Sequence, residues 1–217
     1  WRVSSRATAF SFSPVRVPVR VLPSPATALK WNRDSWRTKP IQQVPARVPS
    51  DIGAWPQAAT PNGQYLYVAS SLGKRLFVYR IGGDGQLWAI PGSPFPLPDN
   101  AVDVTFSRDS RHAYVSMGGL NASVQAYNVG ADGTPLPIGA PVPYGSIGDG
   151  LSTGEVSPDG RNLYLASYPL AQVLRFPVAP DGSLSGPVQR IGATLGPIFP
   201  TITPDGRHMY VANETGG

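Results

Sequence analysis

A chain of 217 residues is long enough for one domain with a sizeable core, and its 24 Gly, 25 Pro and only 14% charged residues favour an all-β fold rich in turns. The chain has no Cys, which excludes disulfides and thiolate metal sites, and its two His leave little for a histidine zinc site. The formal net charge of +5 arises in the first 50 residues, which hold nine Lys and Arg and one acid. The remaining chain is mildly acidic and has no basic stripe for nucleic acid. No apolar run approaches the ~20 residues of a membrane span.

Residues 1–54 are predicted to be a basic leader, rich in Pro and Ser, that is disordered or unrelated to the rest of the chain. The first 30 residues contain no acid, which is also typical of a transit peptide. Because the chain starts with Trp1 and not Met, we expect the true N-terminus to be missing. The chain is expected to be soluble, and the choice between a cytoplasmic and a secreted protein stays open.

Within the leader, the stretch WNRDSWRTKPIQQVP at 31–45 resembles the N-terminal signature of class II 3-deoxy-7-phosphoheptulonate synthases. In plants and algae that signature follows a transit peptide. The stretch is explained by a chance match or by a joined gene model, and, taken with the acid-free leader, it favours the interpretation that residues 1–50 and 55–217 do not belong to one natural domain.

From residue 55 onward the sequence repeats, and the repeat is the strongest signal in the chain. The first pattern recurs at intervals of 47, 50 and 46 residues, as TPNGQYLYVAS (60–70), SRDSRHAYVSM (107–117), SPDGRNLYLAS (157–167) and TPDGRHMYVAN (203–213). A second pattern follows three of these copies, as FVYRIGGDGQL (77–87), QAYNVGADGTP (125–135) and LRFPVAPDGSL (174–184). Each pattern combines a tight turn with residues that alternate like a strand.

Two turns in each unit predict four antiparallel strands, and meanders of this length stacked face to face make a β-propeller. The predicted blades span 55–100, 101–150 and 151–196, and 197–217 supplies the first two strands of a fourth. Three and a half blades do not close a ring, so we expect either a fragment or assembly with another copy. Tyr67, Tyr114, Tyr164 and Tyr210 share one register and are predicted to be packing residues.

The copies SPDGRNLYLAS and TPDGRHMYVANE resemble the repeats of the lactonase-type seven-bladed propellers, which include 6-phosphogluconolactonases and grade into the YVTN repeat proteins. That family is credited with the pattern GPRHxxFSPDGxxxYVxNE, which matches GPIFPTITPDGRHMYVANE at 196–214. The resemblance assigns the catalytic carboxylate to Glu214, beside Asn213. Ile198 and Phe199 stand in place of the Arg and the His, and Ser152 stands where a second His often occurs.

In a propeller, the loops between blades and the loops after each second strand form the face around the channel. Polar residues that we expect to converge on the channel are the candidates for ligand contacts: Lys74, Arg75, Asp99, Asn100, Asp103, Asp149, Glu155 and Asn213. Asp99 and Asp149 are equally well explained as turn formers. No metal site and no cofactor is predicted, although clustered carboxylates at the channel are the ligands that a divalent cation takes. His112 and His208 occupy equivalent places at strand starts, which indicates a surface role.

Two functions follow from these observations. The resemblance implies a lactone hydrolase acting on a sugar lactone such as 6-phosphogluconolactone. The loss of the Arg and the His favours instead a YVTN-type propeller without enzymatic activity, which binds a protein or carbohydrate through its loop face. Hydrolysis of a lactone needs a group that activates water and a group that stabilises the oxyanion, and Glu214 alone does not supply both.

Overall fold

The computed structural model describes residues 53–119, 121–146 and 152–214, together with the backbone alone at 26–30, 42–48 and Trp55. Strands β1 (Ala26–Lys30) and β2 (Gln42–Val48) of the leader pair with each other in antiparallel fashion. The expectation of a leader unrelated to the rest of the chain stays a prediction. The described residues contain no helix, and therefore none with the length and apolar character needed to cross a membrane.

Three antiparallel sheets of four consecutive strand positions follow, and each is a meander. The first contains β3 (Ala54–Ala59), β4 (Tyr65–Ser70), β5 (Arg75–Ile81) and a fourth position split between β6 (Leu87–Ala89) and β7 (Phe95–Pro96). The second contains β8 (Ala101–Phe106), β9 (His112–Met117), β10 (Ser123–Val129) and β11 (Pro135–Pro143). The third contains β12 (Ser152–Val156), β13 (Asn162–Ser167), β14 (Gln172–Pro177) and β15 (Gln189–Gly192).

A fourth sheet consists, among the described residues, of β16 (Pro197–Ile202) and β17 (Met209–Asn213). The first strands of successive sheets lie against one another, β3 against β8, β8 against β12 and β12 against β16. This places the first strand of each sheet innermost, along a common channel. The arrangement confirms the predicted all-β propeller with three blades and two strands of a fourth.

The turn between the first and second strands of each blade is built in the same way four times. A Ser or Thr hydroxyl accepts a hydrogen bond from the N–H at the start of the second strand, and it donates one to the side chain of the Asn or Asp two residues further along the turn. In the third blade, Ser157 accepts from the N–H of Asn162 at 3.0 Å and donates to Asp159 at 2.5 Å. The following Gly160 has φ of +73°, which glycine adopts without a steric penalty. The local sequence therefore dictates both the turn and the strand that leaves it.

Apolar side chains of neighbouring blades meet to form the core. One cluster joins the first and second blades, a second joins the second and third, and a third joins the third blade to the fourth sheet. Between the first two blades the rings of Tyr67 and Phe106 meet edge to face with centroids 5.0 Å apart, a geometry worth about 0.5–1.5 kcal/mol beyond the area it buries. The repeated Tyr is thus a packing residue in three blades, whereas Tyr210 of the fourth sheet is 61% exposed.

The repeated Tyr also bonds to the next blade. The hydroxyl of Tyr67 donates to the carbonyl of Gly133 at 2.7 Å, and that of Tyr114 donates to the carbonyl of Gly182 at 3.3 Å. Both glycines belong to the Asp-Gly turn between the third and fourth strands of the following blade. Each buried hydroxyl therefore finds a partner, and neighbouring blades are tied together at the same point.

Candidate functional site

The innermost strands carry side chains that bond to the next blade along the channel wall. Asp103 on β8 accepts the N–H of Gly154 on β12 at 2.7 Å. Thr153, at the equivalent register of the third blade, accepts the N–H of Phe199 on β16 through its hydroxyl, also at 2.7 Å. Two residues further along β12, Glu155 accepts the N–H of Ile202 at 2.9 Å. Three side chains of the channel wall thus satisfy backbone donors of the neighbouring sheet.

Asp103 has the most perturbed carboxyl group of this set. Burial raises its pKa to about 6, although hydrogen bonds from the N–H groups of Gly154 and Val104 act in the opposite direction. A carboxyl group with a pKa of about 6 exchanges protons readily near neutral pH, which is the property that a general base needs. Among the acids of the channel wall, Asp103 therefore has the carboxyl group whose pKa is shifted furthest towards neutrality.

The carboxyl group of Glu155 is shifted in the same direction. Burial raises its pKa above the ordinary value, while the N–H of Ile202 and the positive charge of Arg108 oppose the shift. Both acids predicted on the innermost strands therefore hold perturbed carboxyl groups at the channel.

At the loop face, two of the predicted residues form an ion pair. Lys74 Nζ lies 2.9 Å from Asp99 Oδ1, joining the loop after β4 to the segment before β8. Asp99 also accepts the N–H of Asn100 at 2.9 Å, as expected for a turn former. It packs so closely on Gly119 that a side chain there would collide with its carboxylate. Arg75, the first residue of β5, is exposed on the same face.

Among the described residues, two side-chain oxygens are buried without a hydrogen-bond partner, and both belong to predicted site residues. They are Oδ1 of Asn100, just before β8, and Oδ1 of Asn213, at the end of β17. A buried acceptor without a partner costs about 1–3 kcal/mol, so such a group in a folded protein needs an explanation. Both residues lie at the loop-face ends of their segments, and both oxygens are closed off from solvent.

The stretch that resembles the lactonase pattern forms β16, β17 and the residue that follows. The N–H of Glu214 donates to the carbonyl of Gly196 at 2.9 Å, and its side chain is exposed. Phe199 is a bulged residue of β16 with φ of +48°, and its ring is 64% exposed. A left-handed conformation is rare for a bulky residue and costs about 1–2 kcal/mol. An exposed aromatic ring on a strained backbone thus stands where the family pattern has His.

Ser152 stands at the other position where the family often carries His. Its side chain is 1% exposed, and its hydroxyl accepts a hydrogen bond from the hydroxyl of Tyr144 at 3.0 Å. Ser152 is therefore part of the core between the second and third blades and not part of an accessible site.

The predicted candidates are spread over several blades. The pair Lys74 and Asp99 lies between the first and second blades, and Glu214 lies at the fourth sheet. Asp149 lies outside the described residues. Across ranges 53–119, 121–146 and 152–214, no three His, Asp or Glu side chains come together as a metal site. Thr153 was not predicted, although its register, equivalent to that of Asp103, was visible in the repeat.

No protein-family model matches the chain. Among solved structures, the chain resembles the periplasmic gluconolactonase PpgL of Pseudomonas aeruginosa, with a TM-score of 0.62 and 24% identity over 75% of this chain and 47% of that one. It also resembles a protein of Bacteroides uniformis called a putative 6-phosphogluconolactonase, with a TM-score of 0.65 and 18% identity over 78% and 49%.

A further match is a protein of unknown function from Desulfotomaculum acetoxidans, with a TM-score of 0.66 and 18% identity over 82% of this chain and 54% of that one. The chain therefore spans about half the length of these structures. At such identities the likeness establishes a lactonase-like propeller fold.

Proposed function

We propose that the loop face and channel wall hydrolyse a sugar lactone, with 6-phosphogluconolactone as the type of substrate. The observation that carries the proposal is Asp103, a carboxyl group on the channel wall whose pKa is raised by burial to about 6. The fold shared with a gluconolactonase adds support. Asp103 acts as the general base that takes a proton from the attacking water. The lactone carbon–oxygen bond then breaks, and the ring oxygen takes up a proton to give the open-chain hydroxy acid.

The charge on Asp103 supports this role because the interblade bond does not need it. Thr153, at the same register of the third blade, also accepts a backbone N–H of the next sheet, with a neutral hydroxyl at the same 2.7 Å distance. A buried carboxylate is costly unless it is fully compensated, so a purely structural link is better made by the neutral residue. Glu214, exposed at the loop face after β17, is the second carboxylate of the proposed site, as the resemblance implies.

The test measures the hydrolysis of glucono-1,5-lactone and of its 6-phosphate between pH 5.5 and 7.5. The rate is monitored through the acid that the reaction releases and is compared with that of a blank without protein. We expect a rate that rises with pH through about 6. Both Asp103→Asn and Glu214→Gln lower the rate of hydrolysis. The loss in Asp103→Asn is about 100-fold or more, which is the usual contribution of a general base. Asp84→Asn, in a turn between third and fourth strands, is the matched control and leaves the rate unchanged. A rate equal to the blank refutes the proposal.

A second function, a propeller without enzymatic activity that binds a carbohydrate or a protein, is favoured by Phe199. Its exposed ring offers a flat apolar surface of the kind that stacks on a sugar ring, in place of the basic residue that catalysis requires. This function predicts binding of gluconate or of an oligosaccharide without turnover. Titration calorimetry with the native chain and with Phe199→Ser distinguishes the two functions. The second is supported if the native chain binds the sugar without hydrolysing any lactone and Phe199→Ser no longer binds it.

A further inference from the structure

The first turn of the second blade departs from the repeat. The other three copies read TPNG, SPDG and TPDG, whereas the second reads SRDS at 107–110. Arg108 replaces Pro, and Ser110 replaces Gly while keeping its left-handed conformation, with φ of +63°. His112 follows where the first blade has Tyr65. These departures lie at the end of the propeller opposite the loop face.

The junction between the first and second blades is closed at this end by two hydrogen bonds. The hydroxyl of Tyr65 donates to the carbonyl of Ala131 at 2.8 Å. The hydroxyl of Ser110 accepts the N–H of Asn62 at 3.0 Å, joining the two turns directly. A phenol and a serine therefore fill and bridge the gap between these two blades.

The junction between the second and third blades has neither group. His112 takes the place of Tyr65 and packs on Gly182, just as Tyr65 packs on Gly133. The imidazole is shorter than a phenol and has no hydroxyl to reach the carbonyl of Pro180, which corresponds to that of Ala131. Gly160 takes the place of Ser110, and the space beside its Cα is open. The result is an open cleft of about 560 Å³ between the two blades.

The cleft combines guanidinium groups with an apolar wall. Arg108 and Arg161 line it and are exposed, and Pro158, Val178 and Pro180 form the apolar surface. Two acids also line it, but their carboxylates are held within the turns. Oδ1 of Asp159 accepts the hydroxyl of Ser157 and the N–H of Arg161, and these bonds hold its pKa below the ordinary value.

The second acid, Asp109, is held in the same way. Burial would raise its pKa, but hydrogen bonds from the hydroxyl of Ser107 and the N–H of Arg111, together with the charges of His112 and of the paired Arg111, hold the pKa below its ordinary value. Both carboxylates are thus ionised and partly compensated by turn donors. The two guanidinium groups, on longer side chains, remain as the donors that a ligand in the cleft meets first.

We propose that this cleft binds a small phosphate monoester with a hydroxylated body. The guanidinium groups of Arg108 and Arg161 take the phosphate, since their fixed donor geometry matches phosphate oxygens. The imidazole of His112 and the carbonyl of Pro180 face the hydroxyl groups, and the apolar wall covers the carbon skeleton. The site is separate from the loop face and independent of any hydrolysis there.

The proposal is tested by titrating the full chain with glucose 6-phosphate, glucose and inorganic phosphate, using titration calorimetry at low salt. We expect glucose 6-phosphate to bind best and glucose not to bind. Arg108→Gln and Arg161→Gln each weaken binding by about tenfold or more, as expected for a charge-assisted hydrogen bond. Arg207→Gln is the matched control, because Arg207 occupies the equivalent turn position of the fourth sheet and does not line the cleft, and it leaves the affinity unchanged.

A closure variant provides a second test. His112→Tyr combined with Gly160→Ser rebuilds the junction of the first two blades, so it is expected to keep the native circular dichroism spectrum and to lose binding. Absence of heat with 10 mM glucose 6-phosphate overturns the proposal, as does equal binding of glucose. Loss of affinity in Arg207→Gln equal to that in Arg161→Gln also overturns it. If the closure variant does not fold, the arginine variants decide the question by themselves.

Discussion

Removing the charge of Asp103 should change how stability depends on pH. The substitution Asp103→Asn keeps an oxygen that accepts the N–H of Gly154 but removes the ionisable group. In the folded chain, burial raises the pKa of Asp103 to about 6, against an ordinary value of 3.8. The folded chain therefore holds a proton on this side chain over a pH range in which the unfolded chain has released it.

The sign and the size of the effect follow from this difference. Below about pH 4 the group is protonated in both states and contributes no pH dependence. Between about pH 4 and pH 6 unfolding releases a proton, so the stability contributed by this group falls as pH rises. Above about pH 6 the carboxylate is charged in both states and the full cost is present. A shift of about two pKa units corresponds to about 3 kcal/mol, at 1.36 kcal/mol for each unit.

The assay is urea unfolding of the native chain and of Asp103→Asn at several pH values from 4 to 8. We expect the variant to gain stability over the native chain as pH rises, by about 2–3 kcal/mol between the two ends, because contributions from all other groups cancel in the difference. Asp181→Asn is the control. The hydroxyl and the N–H of Ser183 hold the pKa of Asp181 below its ordinary value, so its contribution to stability is already complete above about pH 5, and the curve of this variant should run parallel to that of the native chain from there to pH 8. Parallel curves for the native chain and Asp103→Asn would refute the reasoning.

Three further substitutions test the packing. Tyr67→Phe should lower the free energy of unfolding by about 1–3 kcal/mol in the same urea titration, because it leaves a buried carbonyl without its donor. Tyr210→Phe, at an exposed ring, is the control and should change that free energy by less than about 0.5 kcal/mol. Gly182→Ala should lower the thermal midpoint sharply, since a side chain there meets the ring of His112 and the backbone has φ of +82°; a midpoint within a degree of the native value would contradict this packing. Phe199→Gly should raise stability by up to about 1 kcal/mol by relieving the left-handed strain, and a loss of more than that would show that the exposed ring packs in the core.

The repeat predicted the architecture because each unit carries its own turn chemistry. Ser157, Asp159 and Gly160 specify a turn within four residues, and the alternation that follows specifies the strand. The links between blades were not predictable in the same way. The hydroxyl of Tyr67 and its acceptor Gly133 are 66 residues apart, so only the packing of one blade on the next brings them together.

The candidate site was predicted in its residue types but not in its arrangement. The sequence identified Asp103 and Glu155 only as polar groups expected at the channel, and the structure adds that each lies on an innermost strand and accepts a backbone N–H from the following sheet. That partner depends on the register between separate sheets, which no local pattern encodes. The buried acceptors of Asn100 and Asn213 are likewise visible only once the neighbouring strands are in place.

Equivalent positions in different blades face the same packing problem, so a departure from the repeat is informative when packing does not explain it. Ser110 is explained, because its hydroxyl receives the N–H of Asn62 from the preceding blade. Phe199 makes its bond to Thr153 through its N–H alone, and its ring lies on the last described sheet, where Tyr210, the counterpart of three buried Tyr, is exposed as well. Asp103 is explained as an acceptor but not as a charge, since Thr153 performs the same task without one. The unneeded charge of Asp103 is therefore the feature of the channel that stability alone would not retain, and a ligand is the simplest physical reason for it.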